Sequence, residues 1–566
     1  MAETTNPPST KLERVETSSK KRTLGRVQLR DHETNEIILI PTPSNDPNDP
    51  LNWSQRYKHY IAAVICIAMM MCNFLAAGPS IAIVKTTMDF FPGVNPMRTP
   101  ALFGAAIAQV SYFFTTAALM QGVGNFIWVP IANKYGRRPT YIFSYLIYTV
   151  SAVWLCFEKS FKGFLAARII MGFGAGAAET IAPITIADVF FLHERGTVMA
   201  LYTSFLAVGA SLGVIISGLI TINHHWRVIY QVASPLIGAV LLLAFFTFPE
   251  TAYIRESPSA PTTKPSSPRL TLSTDDVERA TPEKTTTTNT TAETSTSSSR
   301  PASPAVAAKK SYLSSLAIFS TKPLTTEPLH KLVLRPLGLI CLPPVLWAAL
   351  VQSVTIGFLV AISSNIDLAF HNTYGFESWQ VGLCFISAIV GSFIGIPAGG
   401  HLADIIADWF TTRNGGVRDP EMRLPTMIPS LVAMPLSLIL YGVGIEKGLH
   451  WIVPTIGVGL LSFSIVQGTN VCLVYVIDAY RPVAGEITLA VMGFKSLFGF
   501  LLSFYTNTWV EQSGYIGAFG TMAGISGAVI FMALPLFLWG KEIRRSTWGW
   551  KVISYIHWSD DREVGE

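Results

Sequence analysis

The fold is decided by residues 163–187, GFLAARIIMGFGAGAAETIAPITIA. About 20 mostly apolar residues are enough for an α-helix to cross the hydrocarbon core of a membrane. This stretch exceeds that length, and its only ionisable residues are Arg168 and Glu179. It is also rich in Gly and Ala, which let helices pack closely within a membrane. The stretch therefore predicts a transmembrane helix with two charged residues inside it.

The composition of the whole chain supports the same conclusion. Of 566 residues, 50% are hydrophobic, 11% are aromatic and only 14% are charged. Soluble domains are about 25% charged, and disordered scaffolds are poor in aromatic residues. The composition therefore excludes a soluble multidomain enzyme and a disordered scaffold, and it favours a polytopic membrane protein.

Twelve apolar stretches of this kind follow one another along the chain. Their predicted starts lie near Tyr60, Ala101, Tyr141, Gly163, Val198, Val228, Gly338, Gln380, Leu424, Trp451, Ile487 and Ile516. Between the two groups of six, residues 255–310 are rich in Ser, Thr and Pro, which predicts a disordered linker. We therefore expect an all-α polytopic membrane protein with twelve transmembrane helices in two pseudo-symmetric six-helix bundles. The expected parts are an N-terminal tail (1–58), a first bundle (59–250), the linker (251–335), a second bundle (336–540) and a C-terminal tail (541–566).

Basic residues predict the orientation of these helices. Of the 41 Lys and Arg residues, 33 fall in the tails, the linker and the loops on their side of the membrane, and 6 fall in the loops on the other side. Cytosolic segments carry the excess of Lys and Arg in membrane proteins, most reliably in short loops. Without the long linker the ratio is still 22 to 6. Both tails and the linker are therefore predicted to be cytosolic.

A compact polar turn occurs at the same point of each group of six. VPIANKYGRRPTY (129–141) joins the second and third predicted helices, and AGGHLADIIADWF (398–410) joins the eighth and ninth. Each turn follows the cytosolic end of an apolar helix. Two repeated bundles suit alternating access, in which one bundle rocks against the other around a site near the membrane midplane.

These motifs resemble the major facilitator superfamily, and most closely its fungal twelve-span members that are grouped with proton-coupled drug antiporters. The resemblance extends from DPNDPLNWS (46–54) to the C-terminal tail. Asn133 departs from it, because it stands at the acidic position of the signature between the second and third helices. The residues that match family signatures are Lys134, Gly136, Arg137, Arg138, Arg168, Gly172, Gly174, Gly176, Gly400 and Asp404.

The fifth predicted helix keeps only part of the signature that the antiporters of this family share. Gly209, Gly213 and Gly218 are present, but Val214 stands where proline is usual and Ser217 replaces a glycine. Small residues at a spacing of four are also what close helix packing requires. The pattern therefore leaves both export by proton exchange and simple packing open.

Ionisable residues inside a membrane are costly, so each one is a functional candidate. Arg168 and Glu179 are eleven residues apart, which places them on one side of a helix and about 16 Å apart along its axis. The family resemblance associates Arg168 with proton coupling. A buried carboxylate without a close cation takes up protons near neutral pH, so we assign proton coupling to Glu179 together with Arg168. Glu179 could instead bind a cationic substrate or fix helix packing.

Lys495, near the middle of the eleventh predicted helix, has three open roles: pairing with a carboxylate, facing an anionic substrate, or sealing a contact between the halves. In the family, helices 1, 4, 7 and 10 line the transport pathway. The candidate substrate-cavity residues are Lys495 and the polar residues Asn73, Gln352, Gln467 and Asn470. A cytosolic gate, whose ion pairs break on inward opening, is expected from Asn133, Lys134, Gly136, Arg137, Arg138 and Asp404.

Two other classes of protein fit the sequence less well. An enzyme would need a metal or nucleophile cluster, but the histidines lie mostly near helix ends or in tails, and no Cys-x-x-Cys occurs. A nutrient receptor without transport activity would be distinguished by the lack of substrate flux in vesicles.

The sequence therefore predicts a monomeric secondary transporter of the plasma membrane, without a catalytic site, metal, cofactor or nucleic-acid partner. Its expected partners are protons, the lipid bilayer and a small-molecule substrate. We expect proton-coupled efflux of a small organic compound such as a secondary metabolite, toxin or drug. The alternative is proton-coupled uptake of a cationic nutrient such as a polyamine or basic amino acid, motivated by the altered fifth helix and by Glu179.

Overall fold

Long apolar runs form helices in a membrane because their backbone has to satisfy its own hydrogen bonds. A computed structural model of the protein describes residues 25, 27–30, 38–94, 100–253, 311–317, 324–325, 327–550 and 553. Over these residues the regular structure is helical apart from one antiparallel pair of short strands, Val27–Gln28 with Val417–Arg418. The stretch 255–310, predicted to be a disordered linker, lies outside the described residues.

The first half contains six long helices. They are α1 (Gln55–Ala77), α2 (Pro100–Tyr135), α3 (Arg137–Phe157), α4 (Phe161–Val189), α5 (Arg195–Asn223) and α6 (Val228–Thr247). α1 continues through a 3-10 turn, Gly78–Ala82, into the helix Ile83–Phe90. The end of the bundle at which α1 begins is called the N face below.

The second half repeats this arrangement. Its helices are α7 (Pro343–Tyr374), α8 (Ser378–Cys384 and Ile386–Gly399, interrupted at Phe385), α9 (Ile428–Glu446), α10 (Ile452–Ala479), α11 (484–513) and α12 (515–531). The shorter helical elements of the chain are Pro50–Asn52, Tyr312–Ser315, Leu329–Leu339, His401–Arg413, Pro420–Met427, Arg481–Val483 and Ala533–Thr547.

The chain crosses twelve times, as the sequence predicts. Among the described residues, 11 helical stretches are long and apolar enough to span a membrane, and the last, Arg481–Thr547, has 67 residues. At 1.5 Å per residue such a stretch is far longer than one crossing. At Gly514 its backbone leaves the helical region (φ 70°, ψ 172°). Val529 of α12 then accepts a hydrogen bond from Trp347 at the N-face end of α7, so α12 returns to the face from which α11 started.

Burial separates the central helices from the peripheral ones. In the most apolar window of each spanning stretch, the buried share is 67% for α1, 83% for α4, 78% for α7 and 89% for α10. In the other stretches it is between 33% and 56%. A helix that faces lipid keeps one side free of protein contacts, whereas a central helix is surrounded by its neighbours. The first and fourth helix of each half therefore form the centre of the bundle.

Each half has its own apolar core, and the halves meet along two seams. The first core is built on α1–α6 and the second on α7–α12. In the seam between α2 and α11, a Cβ on Gly122 would overlap the side chain of Ser496. In the seam between α5 and α8, a Cβ on Gly382 would lie 3.3 Å from the carbonyl oxygen of Val214. Small residues thus set the closest approach of the two halves.

The segment before α1 crosses the N face from one half to the other. The amides of Leu29 and Arg30 donate to the carbonyl of Gly416, and the Arg30 guanidinium binds both carboxylate oxygens of Asp408 at 3.1 and 2.7 Å. This bond with Asp408 raises the pKa of Arg30. Ten residues later, Ile40 accepts a hydrogen bond from Leu192 in the turn between α4 and α5. The N-terminal segment therefore ties the second half to the first.

Close packing of α4 depends on its glycines. A Cβ on Gly172 would overlap the carbonyl of Ala117 on α2, and one on Gly174 would lie 2.7 Å from the amide nitrogen of Tyr148 on α3. Backbone carbonyl and amide groups cannot move aside as a flexible side chain can. The glycines that match the family signature are therefore the points at which α4 touches its two neighbours.

We expect Gly172→Val to destabilise the protein, because two helix backbones would have to separate. Overpacking of this kind costs about 1–3 kcal/mol. The measurement is the midpoint of thermal unfolding of the detergent-solubilised protein. The matched control is Gly104→Val on α2, where a Cβ would meet nothing within 4 Å. Equal losses in the two variants would contradict this explanation.

Candidate transport site

The centre of the candidate site is an ion pair between the two halves. The Lys495 ammonium on α11 binds Oε1 of Glu179 on α4. Glu179 is 2% exposed and Lys495 is 6% exposed. Each lies about ten residues from the N-face end of its helix, which is about 15 Å and therefore close to the middle of a 30 Å hydrocarbon core. Among the described residues, no other ion pair lies at that depth.

Glu179 is held by two further helices. Gln121 on α2 donates from Nε2 to Glu179 Oε2 over 3.2 Å, and the Tyr202 hydroxyl on α5 donates to the Glu179 carbonyl over 2.5 Å. The next residue of α4, Thr180, donates to Asn125 on α2 over 2.7 Å. The carboxylate thus has one oxygen bonded within its own half and the other bonded across the seam.

This arrangement changes the expectation for Glu179. The sequence argument assumed a carboxylate without a close cation, and that assumption is wrong because Lys495 is in contact with it. Two of the three open roles of Lys495 occur together in the structure. Lys495 pairs with a carboxylate, and this pair is also a contact between the halves. Because Lys495 is 316 residues away in the chain, no local pattern could identify the pair.

Arg168 lies in the same helix but takes no part in that pair. Its guanidinium donates to the carbonyls of Phe113 (2.8 Å), Leu75 (3.0 Å) and Ala76 (3.4 Å), and it lies 5.0 Å from the ring centroid of Phe114. Arg168 is fully buried, and the described residues place no carboxylate within ion-pair distance of it. It therefore joins α1, α2 and α4 nearer the face opposite the N face.

The four neutral cavity candidates have different environments. Asn73 is half-buried and donates to the Met69 carbonyl of its own helix. Gln352 is fully buried beside Cys472, and its amide forms no standard hydrogen bond within the described part of the chain. Gln467 is bonded to the Thr426 carbonyl and to the Ser430 hydroxyl, so its amide is occupied within the second half.

Asn470 bridges the two halves, and both carbonyls that it contacts belong to helix ends. Its Nδ2 donates to the carbonyl of Gly399 at the end of α8 (2.7 Å) and to the carbonyl of Gly196 in the first turn of α5 (3.2 Å). This side chain therefore connects the two halves. Asn470 was predicted as a cavity residue from its polarity on the tenth helix, but in the structure its amide is bonded to two backbone carbonyls.

The expected gate residue Asp404 forms an ion pair within the second half, and its carboxylate contacts the first half. Its Oδ1 lies 2.7 Å from Nη1 of Arg423, whose Nε lies 3.8 Å from Asp478 Oδ2 at the end of α10. A Cβ on Gly196 would overlap the Asp404 carboxylate. Together with Asn470, these residues are called the N-face latch: Gly196, Asp404, Arg423, Asn470 and Asp478.

The turn between α2 and α3 is organised around Glu250. The amides of Arg137 and Arg138 donate to its two carboxylate oxygens at 2.9 and 3.2 Å. Gly136 has φ +111°, and a Cβ there would overlap the same carboxylate, so a residue without a side chain is required. Burial raises the pKa of Glu250 in spite of these hydrogen bonds.

The remaining residues of that turn have separate contacts. The Arg137 guanidinium pairs with Asp188 at the end of α4 (3.0 Å), and Arg138 donates to the carbonyls of Phe245 (2.7 Å) and Phe248. Lys134 lies 3.5 Å from the Glu327 carbonyl. Asn133 lies in the α2–α11 seam, where a Cβ on Gly485 would come within 3.2 Å of its amide nitrogen.

The gate shows the twofold repeat at atomic detail. Arg137 pairs with Asp188 at the end of the fourth helix, and Arg423 faces Asp478 at the corresponding end of the tenth. Sequence reasoning missed Asp188, Arg423 and Asp478. An acidic residue in the last turn of the fourth helix of each half was the available signal.

Two other residues also escaped the sequence reasoning. Gln121 is uncharged and lies inside an apolar run, so no rule singled it out. Asp367 was not among the ionisable residues predicted inside helices, but α7 extends to Tyr374 and includes it. It lies next to Ser378 and near Lys85 of the first half.

The glycines of α5 have a packing role in this structure. A Cβ on Gly209 or Gly213 would overlap the carbonyls of Met70 and Phe74 on α1. The residues 209–213 also spell Gly-x-Ser-x-Gly, a pattern found at the nucleophile of some hydrolases. Here Ser211 donates to the Ala207 carbonyl inside a continuous helix, so no strand-to-helix elbow exists. Within the described residues, no group of acidic, His or Cys side chains could hold a metal ion.

Two six-helix halves that pack around central helices, with a buried ion pair across the seam, define a secondary transporter. The chain belongs to the Major Facilitator Superfamily, whose family model matches residues 61–501. Members of this family are transporters and not enzymes, and the chain is a multi-pass membrane protein.

The chain is similar to distant fungal transporters. It is 24% identical to an uncharacterized MFS-type transporter of Schizosaccharomyces pombe, over 90% of this chain and 89% of that protein. It is 26% identical to the MFS-type transporter penM of Penicillium rubens, over 92% and 93%. The solved structure of the proton:xylose symporter XylE superposes with a TM-score of 0.57 at 14% identity, over 88% of this chain and 100% of that one. That likeness shows the fold.

We expect the Glu179–Lys495 pair to reveal itself by non-additive stability. Removal of one partner of a buried ion pair typically costs about 3–5 kcal/mol, because the other charge is left uncompensated. Glu179→Gln and Lys495→Met should therefore each lower the thermal unfolding midpoint, and the double variant should recover part of the loss. The control is Lys541→Met, at an exposed lysine beyond α12. Strictly additive losses would refute the pair.

Proposed function

We propose that this chain is a proton-coupled exporter of a small organic compound, in which Glu179 carries the proton and Lys495 is its counter-charge. The observation that supports this proposal is the buried ion pair that joins the halves at mid-depth. Titratable groups at that depth are rare and mark ion pathways and proton relays. A transporter needs a bistable element that its coupling ion can bias, and this pair has that property.

The proton would act through the charge of Glu179. While the carboxylate is ionised, it attracts Lys495 and holds α4 against α11. A proton on Glu179 removes that attraction and leaves a buried ammonium without its counter-charge, which is unfavourable in a low dielectric. Separation of the two halves at this seam then lowers the free energy of the protein. Protonation and opening are therefore linked.

The N-face latch would have to break when the N face opens. Gly196 belongs to the first half, whereas Asp404, Arg423 and Asn470 belong to the second. We propose that this face is the cytosolic one and that the membrane is the plasma membrane. The support for a cytosolic N face is the excess of Lys and Arg in its loops and tails.

The compound would bind between the central helices. Gln352 on α7 is a candidate for its polar group, since the amide is buried next to Cys472 of α10 with no standard bond to the described residues. Asn73 on α1 is a second candidate. Gln467 is a weaker candidate because its amide is bonded within the second half, and Asn470 because its Nδ2 is bonded to backbone carbonyls of both halves.

Uptake of a cationic nutrient is the second candidate function. Glu179 favours it, because a substrate ammonium group could replace Lys495 at the same carboxylate. The two functions differ in the pH gradient that drives accumulation. An antiporter accumulates substrate in vesicles that are acidic inside, whereas a symporter does so when the outside is acidic, whichever way the protein is inserted.

We expect Glu179→Gln to uncouple transport from the pH gradient, because a glutamine cannot take up the proton. The full-length protein is reconstituted in liposomes, with rhodamine 6G as a lipophilic probe and labelled spermidine as a nutrient cation. The proposal of export is supported if the probe accumulates in vesicles that are acidic inside and this accumulation is lost in Glu179→Gln. The variant should still exchange the probe when the pH is equal on both sides. The matched control is Glu511→Gln, at an exposed end of α11. If transport by Glu179→Gln still depends on the pH gradient, Glu179 is not the proton carrier.

A further inference from the structure

Gln121 is the second partner of the Glu179 carboxylate. The two side chains are joined by a hydrogen bond of 3.2 Å from Nε2 to Oε2, and Gln121 is buried. We infer that Gln121 is a positioning residue: it holds the carboxylate toward Lys495, and it becomes the partner of the carboxyl group when Glu179 is protonated and Lys495 withdraws. This inference rests on the proposed role of Glu179.

Gln121 stays with Glu179 when the halves separate. Both residues belong to the first half, where Thr180 on α4 donates to Asn125 on α2 over 2.7 Å. A Cβ on Gly176 would lie 2.5 Å from the Gln121 carbonyl, so the α2 and α4 backbones are in contact at this level. Lys495 belongs to α11 on the other side of the seam. Opening therefore removes Lys495 and leaves the amide in place.

The chemistry of an amide suits both protonation states. An ionised carboxylate only accepts hydrogen bonds, whereas a protonated carboxyl group has one O–H that needs an acceptor. Gln121 can donate from Nε2 to the ionised form, and after a rotation of the amide its Oε1 can accept from the protonated form. In this step a hydronium ion of the aqueous phase gives its proton to Oε2 of Glu179, the oxygen that faces Gln121, and becomes water, while Lys495 remains an ammonium ion. No other group changes its charge.

The other groups around Glu179 are bonded to other atoms or have no acceptor. From α11 the carboxylate meets Lys495, which has no acceptor. From α5 it faces Tyr202, whose hydroxyl is bonded to the Glu179 carbonyl. From α1 it faces Cys72, whose thiol is hydrogen-bonded to the Tyr145 hydroxyl at 3.3 Å. Within the described residues, Gln121 is the one neutral group bonded to the carboxylate.

The test is an infrared pH titration of the full-length protein in lipid nanodiscs, which needs no substrate. The carboxyl C=O band of protonated Glu179 is identified by its loss in Glu179→Gln. In Gln121→Met we expect the midpoint of this band to rise by about one pH unit, because a hydrogen bond to a charged group is worth about 1.5–3 kcal/mol and one to a neutral group less. The band should also move to higher frequency, as for a free carboxyl group. Gln121→Asn, with a shorter amide, should give a smaller change.

Asn125→Leu is the matched control: it removes the bond with Thr180 on α4 and the bond of Asn125 to the Gln121 carbonyl, while the side chain of Gln121 and the carboxylate keep their contact. It should lower thermal stability and leave the midpoint of the Glu179 band unchanged. An unchanged midpoint in Gln121→Met, or an equal shift in Asn125→Leu, would overturn the inference. If the midpoint shifts in Gln121→Met but transport does not depend on the pH gradient, the proposed function is wrong and the positioning role of Gln121 stands.

Discussion

The cost of a charge in the middle of a membrane is the constraint on which this structure depends. A lone ammonium or carboxylate at that depth is strongly unfavourable, and a pair is tolerated only with good geometry and further hydrogen bonds. Lys495 and Glu179 satisfy each other across the seam, and Gln121 supplies the additional bond. The close approach of Gly122 to Ser496 brings α2 and α11 together beside them. The halves are thereby held by an interaction that one proton can weaken.

The N face is closed by a different kind of contact. Its ion pairs lie at helix ends, where Arg423 with Asp478 and Arg137 with Asp188 are repeated elements of the two halves. Backbone carbonyls and a glycine at residue 196 complete the contact between the halves. The segment before α1 adds a strand pair and the Arg30–Asp408 bond across the same face. The mid-depth pair thus lies beside the α2–α11 seam, whereas the N-face latch lies at the start of α5 beside the other seam, and both hold the same two halves together.

Several parts of this architecture could be predicted because they depend on local composition. The sixth helix begins at Val228, as predicted, and the tenth begins at Ile452 instead of Trp451. The seventh helix was misplaced, because the separate helix Leu329–Leu339 precedes Pro343 and blurs the start of the apolar run. Gln467 and Asn470 were predicted from their polarity and from their place on the tenth helix, which lines the pathway in the family. Polarity does not distinguish a side chain that faces a substrate from one bonded to a neighbouring backbone, as both of these are.

The sequence by itself determined the membrane class, the twelve crossings, the twofold repeat and the presence of Arg168, Glu179 and Lys495 inside the helices. These features follow from runs of neighbouring residues, and hydropathy is a local property. Only the tertiary structure decided that Lys495 meets Glu179, that Arg168 binds carbonyls instead, and that Gln121 is the second partner. Those choices join residues 55 to 316 positions apart, and they are set by which helix faces pack together in the folded bundle.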